Sequence, residues 1–338
     1  MNGKERFAPS HDTLSGRNAD IYFHRAKEIL TAEGMSPEVV MEIFPGRDGI
    51  ICGVEEVKAL LARVLPEGSE AWGLEEGSPM SAKEVVLRIK GPYTAFGICE
   101  TAILGILAHE SGWATGARKV VEAAGDVPVL HFGARHVHPD VSARLEYAAM
   151  VGGCAGCATP AGAELYGIAP SGTIPHALVL CFGDTLEAMK AFDRHVPPEV
   201  KRIALVDTFK DEAEESIRIA KAMGDKLWGV RLDTPAERGR VTPDLVKEVR
   251  ARLDQAGFPN VKIVVSGGID ADRIRLFREK GAPVDAYGVG SAISGAPPID
   301  FTADVKEVNG EPRAKRGRIP GITDNPRLQK WDLSEYVG

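Results

Sequence analysis

The sequence predicts an α/β protein built around an incomplete, open TIM-like α/β barrel. In the second half of the chain, short apolar runs typical of buried strands alternate with segments of helical periodicity. Successive runs lie about 20–35 residues apart, which leaves room for a helix between them and favours parallel strands. About six such units can be counted, fewer than the eight of a closed barrel. The clearest barrel strands are 128–133, 203–207, 228–233, 261–266 and 285–289.

Helix signals separate these strands. Thr242 is suited to cap a helix that begins at Pro243, and Gly257 is suited to end it. The next strand, 261–266, is almost continuously apolar, as expected when both faces of a parallel strand are buried. Asp270 is suited to cap the helix that follows. The carboxyl ends of such strands form the face where barrel enzymes hold their active sites.

The first part of the chain has a different character and predicts an N-terminal α/β domain. Its strands and helices follow one another without the regular spacing of the barrel. The predicted elements are strands at 39–44, 50–52, 71–73 and 85–90 and helices at 54–64 and 95–109.

A predicted hairpin near the C-terminus resembles this first region. Two strand-like stretches, 301–308 and 311–318, are joined by Asn309-Gly310, a strong hairpin signal. We expect these strands to return to the N-terminal domain, which would then be split in sequence. The predicted division is an N-terminal domain at 1–125, the barrel at 126–296 and returning strands at 297–338.

Composition narrows the class of protein. The 338-residue chain is 44% hydrophobic and 26% charged, which is typical of a globular protein with a substantial core. A net charge of −7 argues against nucleic acid as a partner. No apolar run reaches the ~20 residues of a membrane span, and the polar start of the sequence carries no secretion signal. Five cysteines do not suggest a disulfide framework. We therefore expect a cytoplasmic enzyme.

Two clusters of potential metal ligands are interpreted as structural. Cys154 and Cys157 form a CxxC, but no second pair of cysteines or histidines lies at zinc-site spacing, and the neighbouring residues are small. His131, His136 and His138 follow a pattern that indicates strand and loop positions. We predict no metal site formed by protein ligands alone.

Glycines at the ends of the last two barrel strands predict a phosphate site. Gly267 and Gly268 end one strand, and Gly288 and Gly290 lie at the end of the next. Glycines allow backbone N–H groups to converge on an anion, and the following helix start adds its positive dipole end. The sequence therefore predicts a phosphorylated substrate.

Phe132 and Arg135 lie at the end of the first barrel strand. An aromatic ring beside an arginine can stack on a flat ligand and bind its carboxylate with two hydrogen bonds. The alternative is a core phenylalanine next to a surface arginine. Tyr22 lies ahead of every barrel strand, where a single tyrosine usually packs.

Polar residues at other strand ends are further candidates. Ser171, Thr173 and His176 lie on one turn, where the histidine could be a nucleophile, a proton carrier, a phosphate ligand or a helix cap. Asp207 and Asp233 each end a strand and could bind ribose hydroxyls or Mg²⁺, or cap the next helix.

A basic run at 315–318 is open to two interpretations. Its first residue, Lys315, could reach anionic substrate oxygens. Alternatively, the run could protect the edge of a sheet, because charged side chains discourage pairing with another strand.

These motifs together resemble the nicotinate phosphoribosyltransferase family, which shares its fold with nicotinamide and quinolinate phosphoribosyltransferases. The resemblance implies an enzyme of NAD biosynthesis that joins nicotinate and phosphoribosyl pyrophosphate to give nicotinate mononucleotide and pyrophosphate. It also implies a split N-terminal domain, an open barrel and an obligate homodimer. The motifs are DIY, LRIKGPYTAFGICETAILGIL, FGARHVHP, GGCAGC, SGTIPHAL, LVDTF, VRLDTP, SGGID, YGVGSAIS and KRGRIPG.

The resemblance implies a role for individual residues. Phe132 and Tyr22 of the partner subunit would enclose the pyridine ring, and Arg135 would bind its carboxylate. His176 would be phosphorylated by ATP, and Mg²⁺ would accompany the pyrophosphate. Arg231 and Asp233 would bind phosphoribosyl pyrophosphate, and its 5′-phosphate would lie on Gly267, Gly268, Gly288 and Gly290. We expect His176 and Asp233 to be catalytic and expect Ser171, Thr173, Asp207 and Lys315 to contact substrate.

The sequence departs from the family pattern at two sites, and other functions remain open. Ala155 stands where relatives commonly have Asp, and Thr234-Pro235 replaces a common Ser-Gly. Nicotinamide or quinolinate could be the base instead. A barrel lyase or isomerase would share the phosphate site but would usually show a Lys or Glu at a strand end. A relative that binds ligand without turnover is a further alternative.

Overall fold

The structure, a computed structural model, describes residues 6–336. The chain divides into two compact units, one of Met1–Thr115 with Ala296–Gly338 and one of Gly116–Gly295. A long helix, Glu100–Ala124, runs through the limit between them. The domain limits expected from the sequence, 1–125, 126–296 and 297–338, stay a prediction.

Antiparallel strands form the first unit. Its strands are β1 Glu38–Pro45, β2 Gly49–Ile50, β3 Glu70–Gly73, β4 Pro79–Met80, β5 Leu87–Pro92, β12 Phe301–Val308, β13 Glu311–Pro312 and β14 Gln329–Lys330. Six of them make one sheet in the order β13-β12-β1-β5-β3-β14, and β2 pairs with β4. Strand β1 lies inside this sheet and is buried along most of its length.

Strand β12 pairs with β1 from Val39 opposite Val308 to Pro45 opposite Phe301. The expectation that C-terminal strands complete the N-terminal domain is therefore confirmed. Asn309 and Gly310 both have positive φ, 51° and 80°, as a two-residue hairpin turn of type I′ requires.

The second strand of this hairpin is shorter than expected. It was predicted to run over 311–318, but it ends at Pro312. Proline has no N–H to donate to a sheet, and the residues that follow form a turn in which the Arg318 N–H bonds to the Lys315 carbonyl at 3.0 Å. The basic run is thus a turn rather than an edge strand.

Helices cover the core of the first unit. The predicted helix 54–64 is present with those bounds. The helix predicted at 95–109 begins at Glu100 and continues to Ala124, because Gly97–Cys99 forms a separate 3-10 turn and no proline interrupts the sequence after it. The helices are α1 His11–Leu14, α2 Ile21–Ala32, α3 Val54–Val64, α4 Tyr93–Phe96 and α5 Glu100–Ala124.

Parallel strands form the second unit. They are β6 Val129–His131, β7 Gly156–Cys157, β8 Arg202–Leu205, β9 Leu227–Leu232, β10 Lys262–Val265 and β11 Ala286–Val289. Their order is β7-β6-β11-β10-β9-β8, so β7 and β8 are edges and the sheet curls without closing. The open α/β barrel expected from the sequence is confirmed.

Eight helices accompany these strands within the described residues. Thr242 and Asp270 cap their helices as predicted, through hydrogen bonds from Leu245 N at 3.2 Å and Arg273 N at 2.8 Å. The helices are α6 Pro139–Val151, α7 Pro160–Tyr166, α8 His176–Phe182, α9 Thr185–His195, α10 Glu212–Met223, α11 Pro243–Gln255, α12 Ala271–Glu279 and α13 Ser291–Ser294. Helices α7, α8 and α9 lie in sequence between the two edge strands.

A buried carboxylate ties the returning segment to the first sheet. Glu42 on β1 is 1% exposed. It accepts hydrogen bonds from Arg88 Nε at 2.9 Å and from the Thr323 N–H at 3.0 Å. Lys306 Nζ lies 3.9 Å from its other oxygen. Each of these groups would lose its anionic partner if Glu42 were removed.

We expect Glu42→Ala to lower the free energy of unfolding by about 3–5 kcal/mol, because it leaves Arg88 and the buried Lys306 without their carboxylate. Glu38→Ala on the same strand is the matched control. Glu38 is half exposed and lies 3.5 Å from Lys90, so its loss should change stability by less than about 1 kcal/mol. Urea denaturation measures the free energy of unfolding of both variants. Equal losses of stability would contradict the role assigned to Glu42.

Candidate functional site

A cavity of about 610 Å³ lies in the second unit where its parallel strands end. Its walls come from the turns after several strands, including those after β6, β9, β10 and β11. Ten of the residues predicted from the sequence line it: Phe132, Arg135, Thr173, His176, Arg231, Asp233, Gly267, Gly268, Gly288 and Gly290. Ser171 and Asp207 do not line the cavity itself, although both belong to the same unit.

Arg231, near the end of β9, joins three parts of the wall. Its Nε donates to Ser266 Oγ at 2.9 Å, and its Nη1 donates to Thr173 Oγ1 at 2.8 Å. Its Nη2 donates to Asp233 Oδ2 at 2.8 Å. The guanidinium carbon lies 5.4 Å from the centre of the Phe132 ring. The positive charge of Arg231 is therefore already balanced inside the wall.

Asp233 is held from two sides. Ser266 Oγ donates to its Oδ1 at 2.9 Å, while Arg231 occupies its Oδ2. A Cβ placed on Gly267 would lie 3.0 Å from the same Oδ1. Asp233 is thus fixed beside the glycine turn. Ser266 was missed by the sequence analysis, although its position directly before Gly267 at a strand end was a usable signal.

His176 is held by a buried carboxylate. Its Nε2 lies 3.2 Å from Asp207 Oδ1, and its Nδ1 lies 4.0 Å from Asp233 Oδ2. Burial raises the pKa of Asp207, and the interaction with His176 partly offsets that rise. Helix α8 begins at His176 after Pro175 and has no side-chain cap. His176 therefore does not cap the helix, and Asp207 contacts His176 rather than capping the next helix.

The hydroxyl residues near His176 serve other partners. Thr173 Oγ1 accepts from Arg231 Nη1. Ser171 Oγ donates to the Cys157 carbonyl at 3.3 Å, which ties the turn to strand β7. Asp207, which lies 31 residues after His176 in sequence, is the residue that orients the imidazole.

Phe132 packs on a glycine platform. A Cβ built on Gly288 would lie 2.5 Å from the Phe132 ring, so the ring needs a glycine at that position. A Cβ on Gly290 would lie 2.9 Å from His136 Cε1 and 3.2 Å from the Phe132 carbonyl. These two glycines permit close packing of the wall.

Gly267 and Gly268 form a turn with free amides. Their φ angles are 85° and 67°, which glycine adopts readily. Arg273 Nη1 donates to both carbonyls at 3.0 Å. Within residues 6–336 the two N–H groups donate no hydrogen bond. Helix α12 begins directly afterwards at Ala271, so the turn is suited to bind an anion.

Arg135 is a cation without a partner at the cavity wall. It lies on the short turn Ala134–His136, is exposed, and makes no ion pair with any described residue. The neighbouring His136 Nδ1 lies 2.9 Å from Ser294 Oγ. Burial and then the charge of Arg135 lower the pKa of His136. Neutral His136 and unpaired Arg135 leave one free positive charge at this end of β6.

Tyr22 and Lys315 belong to the first unit. The Tyr22 hydroxyl donates to Asp20 Oδ2 at 3.1 Å, and the side chain is more than half exposed. Lys315 Nζ lies 3.7 Å from the buried Asp304. The expected contact of Tyr22 with a partner's site and the expected contact of Lys315 with substrate stay predictions, as does the obligate homodimer.

The described residues contain no group of three or more His, Cys, Asp or Glu side chains arranged to hold a metal ion. Cys154 and Cys157 are buried, and burial raises their pKa values to about 12 and about 11. Both thiols are therefore neutral at pH 7 and suited to packing. Among residues 6–336, no helix combines the length and the hydropathy that a membrane span requires.

The sequence matches two family models that together cover most of the chain. The N-terminal domain of quinolinate phosphoribosyl transferase matches residues 20–111, and its C-terminal domain matches residues 113–304. The chain belongs to the type II phosphoribosyltransferase family. Within this family, the chain is 31% identical over 334 residues to a nicotinate phosphoribosyltransferase of Mycobacterium tuberculosis, covering 88% of this chain and 71% of the relative.

Other relatives and solved structures agree with this assignment. A nicotinate phosphoribosyltransferase of Bacillus subtilis is 30% identical over 225 residues, which are 66% of this chain and 45% of that protein. The crystal structure of a nicotinate-nucleotide pyrophosphorylase from Pyrococcus furiosus is 42% identical with a TM-score of 0.86, covering 93% of this chain and 81% of the other. Human nicotinic acid phosphoribosyltransferase, at 19% identity and a TM-score of 0.72, shares the fold over 90% of this chain and 77% of its own.

The packing of Phe132 on Gly288 in the cavity wall can be tested by mutation. Gly288→Ala should cost about 1–3 kcal/mol of unfolding free energy, because the methyl group overlaps the ring. In a Phe132→Ala background the same change should cost much less. A double-mutant cycle measured by urea denaturation should therefore give a coupling energy, whereas additive losses would show that the two residues do not touch.

Proposed function

We propose that the protein is a nicotinate phosphoribosyltransferase of NAD biosynthesis, which converts nicotinate and phosphoribosyl pyrophosphate to nicotinate mononucleotide and pyrophosphate. The observation that supports this most is the guanidinium of Arg135, which makes no ion pair with any described residue and lies beside Phe132 in the cavity that also contains the Gly267–Gly268 turn. One cation beside an aromatic ring suits a flat base with one carboxylate. Free amides on a glycine turn suit a phosphate.

In this proposal Phe132 stacks on the pyridine ring and Arg135 binds its carboxylate through two parallel hydrogen bonds. Tyr22 of the partner subunit covers the other face of the ring in a homodimer. The exposure of Tyr22 is compatible with this role, since more than half of its surface is free to meet a ligand. Fixing both the ring plane and the carboxylate directs the ring nitrogen toward the sugar.

Phosphoribosyl pyrophosphate binds through its 5′-phosphate to the amides of Gly267 and Gly268, with Gly288 and Gly290 closing the wall beside them. Asp233 is positioned by Ser266 and Arg231 to face the ribose. Arg231 acts mainly by fixing Asp233 and Thr173, because three of its N–H donors, one on each nitrogen, are directed to protein groups. Lys315 contributes a positive charge for the pyrophosphate.

The chemistry needs no side-chain nucleophile. The lone pair of the pyridine nitrogen forms a bond to C1′ while the C1′–oxygen bond breaks and its electron pair leaves with pyrophosphate. The configuration at C1′ inverts. Positive charge develops on the sugar in the transition state, and a fixed carboxylate such as Asp233 stabilises it. The residues therefore act by orientation and electrostatics.

Mg²⁺ is proposed as part of the phosphoribosyl pyrophosphate substrate. The described residues do not form a dedicated metal site, but Asp233 at the cavity wall offers oxygen ligands of the kind that Mg²⁺ takes together with substrate phosphates and water. When bound, the ion neutralises charge on the departing pyrophosphate.

We further propose that ATP is a co-substrate and that His176 accepts its γ-phosphate. Asp207 orients one imidazole nitrogen, which leaves the other with a lone pair. A nitrogen–phosphorus bond forms as the bond to ADP breaks, and water later hydrolyses the phosphohistidine. The His176 side chain is 39% exposed at the cavity, so the γ-phosphate of ATP can reach it.

Quinolinate is the second candidate base, because the matching family models are named for quinolinate phosphoribosyl transferase. Quinolinate carries two carboxylates and would require a second free cation near Phe132. The other arginine at that wall, Arg231, is already paired with Asp233. Nicotinamide has no carboxylate and would leave Arg135 without a partner. Nicotinate matches the charge of the wall best.

A panel of bases tests the proposal. The full-length protein is incubated with phosphoribosyl pyrophosphate and nicotinate, nicotinamide or quinolinate, each with and without ATP, and pyrophosphate release is measured. Nicotinate should give the fastest release. Release with quinolinate, accompanied by carbon dioxide, and none with nicotinate would overturn the assignment of the base.

Arg135→Lys should raise the KM for nicotinate by about tenfold or more, because lysine keeps the charge but loses the bidentate fork. The KM for phosphoribosyl pyrophosphate should change little. Arg144→Lys in helix α6 is the conservative control away from the cavity wall. An unchanged KM for nicotinate in Arg135→Lys would remove Arg135 from the base site.

His176→Asn should abolish labelling of the protein by γ-³²P-ATP and any stimulation by ATP, while slow phosphoribosyl transfer remains. Asparagine keeps a polar group near Asp207 but offers no nucleophilic nitrogen. Wild-type protein should carry acid-labile label during turnover. Equal label on both proteins, or no label on the wild type, would contradict a phosphohistidine at this position.

A further inference from the structure

Arg240 lies directly against the glycine turn. A Cβ built on Gly268 would overlap Arg240 Nη1, and it would lie 3.1 Å from the guanidinium carbon. The guanidinium therefore covers the side of Gly268 that a side chain would otherwise fill. Arg240 follows the short turn Ala236–Arg238, which comes from a different strand end than the glycines do.

The backbone of Arg240 adopts an unfavourable conformation to reach this place. Its φ is 64°, and only two other non-glycine residues among those described, Lys83 and Asn309, have positive φ. The Cβ of most residues clashes with the following carbonyl oxygen in this region, whereas glycine has no Cβ and asparagine tolerates the conformation. The Arg240 N–H is held by the Pro235 carbonyl at 3.1 Å. Backbone strain of this kind is concentrated at functional sites.

The charge of Arg240 is not balanced by the protein. Its exposed side chain makes no ion pair or hydrogen bond with any residue from 6 to 336. By contrast, Arg238 lies 3.2 Å from the buried Glu212.

A second arginine increases the positive charge at the turn. Arg273 is hydrogen-bonded to the carbonyls of Gly267 and Gly268. Burial and then the charge of Arg240 lower its pKa. Asp270, the nearby acid, accepts from the Arg273 N–H as the helix cap. Two cations repel each other beside amides that have no acceptor, and an anion on the turn would relieve that repulsion.

We infer that Arg240 is a phosphate ligand at the outer side of the Gly267–Gly268 turn, where it binds the 5′-phosphate of phosphoribosyl pyrophosphate together with the two amides. This inference rests on the proposed function. The N–H groups of the turn orient the phosphate, and Arg240 contributes a positive charge from a neighbouring loop. Because that loop begins at the end of β9, it also links phosphate binding to Asp233, which ends the same strand.

The test uses Arg240→Asn, which removes the charge but tolerates the left-handed backbone, so the fold should persist. Arg275→Gln is the matched control, since Arg275 is an exposed arginine on helix α12 that pairs with Asp272 at 2.5 Å. Isothermal titration of the full chain with ribose 5-phosphate measures the phosphate site directly, and thermal melting monitors the fold.

Arg240→Asn should weaken ribose 5-phosphate binding at least tenfold and raise the KM for phosphoribosyl pyrophosphate, with kcat, the KM for nicotinate and the melting temperature nearly unchanged. Arg275→Gln should stay within twofold of wild type, and Arg240→Lys should recover part of the affinity. Wild-type affinity in Arg240→Asn would overturn the inference and leave the proposed function intact. A wild-type protein that binds neither ribose 5-phosphate nor phosphoribosyl pyrophosphate would overturn both.

Discussion

The arrangement of the cavity depends on the hydrogen bonds that the guanidinium of Arg231 donates. It connects a hydroxyl at the end of β10, a hydroxyl on the turn before His176 and the carboxylate at the end of its own strand. Strand β9 lies inside the parallel sheet between β10 and β8, so these contacts fix side chains from separate elements relative to one strand. The ion pair with Asp233 leaves the centre of the wall nearly neutral, and Phe132 packs within 5.4 Å of the same guanidinium.

Two arginines near this neutral centre, Arg135 and Arg240, make no ion pair with any described residue. Arg135 lies beside Phe132, and Arg240 lies against Gly268 on another loop. Under the proposed function the first binds a carboxylate and the second binds a phosphate. Nicotinate mononucleotide carries one of each, separated by its ribose. The distribution of unpaired charge therefore corresponds to the product of the proposed reaction, whereas a dicarboxylate base would need another free cation next to Phe132.

Much of the fold could be predicted because local signals and long-range structure agree. Asn309-Gly310 specified the hairpin, Thr242 and Asp270 specified helix starts, and apolar runs specified the parallel strands. The second hairpin strand was too long in the prediction because it was extended through the basic run, although Pro312 has no N–H to donate to a sheet. The strand-end residues of the site were predictable since parallel strands end on one face. The pair of His176 and Asp207 was not, because it joins positions 31 residues apart, and Arg240 lies in a loop without periodicity.

The central claim is that one cavity binds a carboxylate at Arg135 and a phosphate at the Gly267–Gly268 turn. A crystal structure of the protein with nicotinate mononucleotide tests it most directly. The account predicts the pyridine ring on Phe132, its carboxylate in bidentate contact with Arg135, and phosphate oxygens within hydrogen-bond distance of the amide nitrogens of Gly267 and Gly268. A nucleotide bound in the reverse direction, with its phosphate on Arg135, or bound outside this cavity, would contradict it.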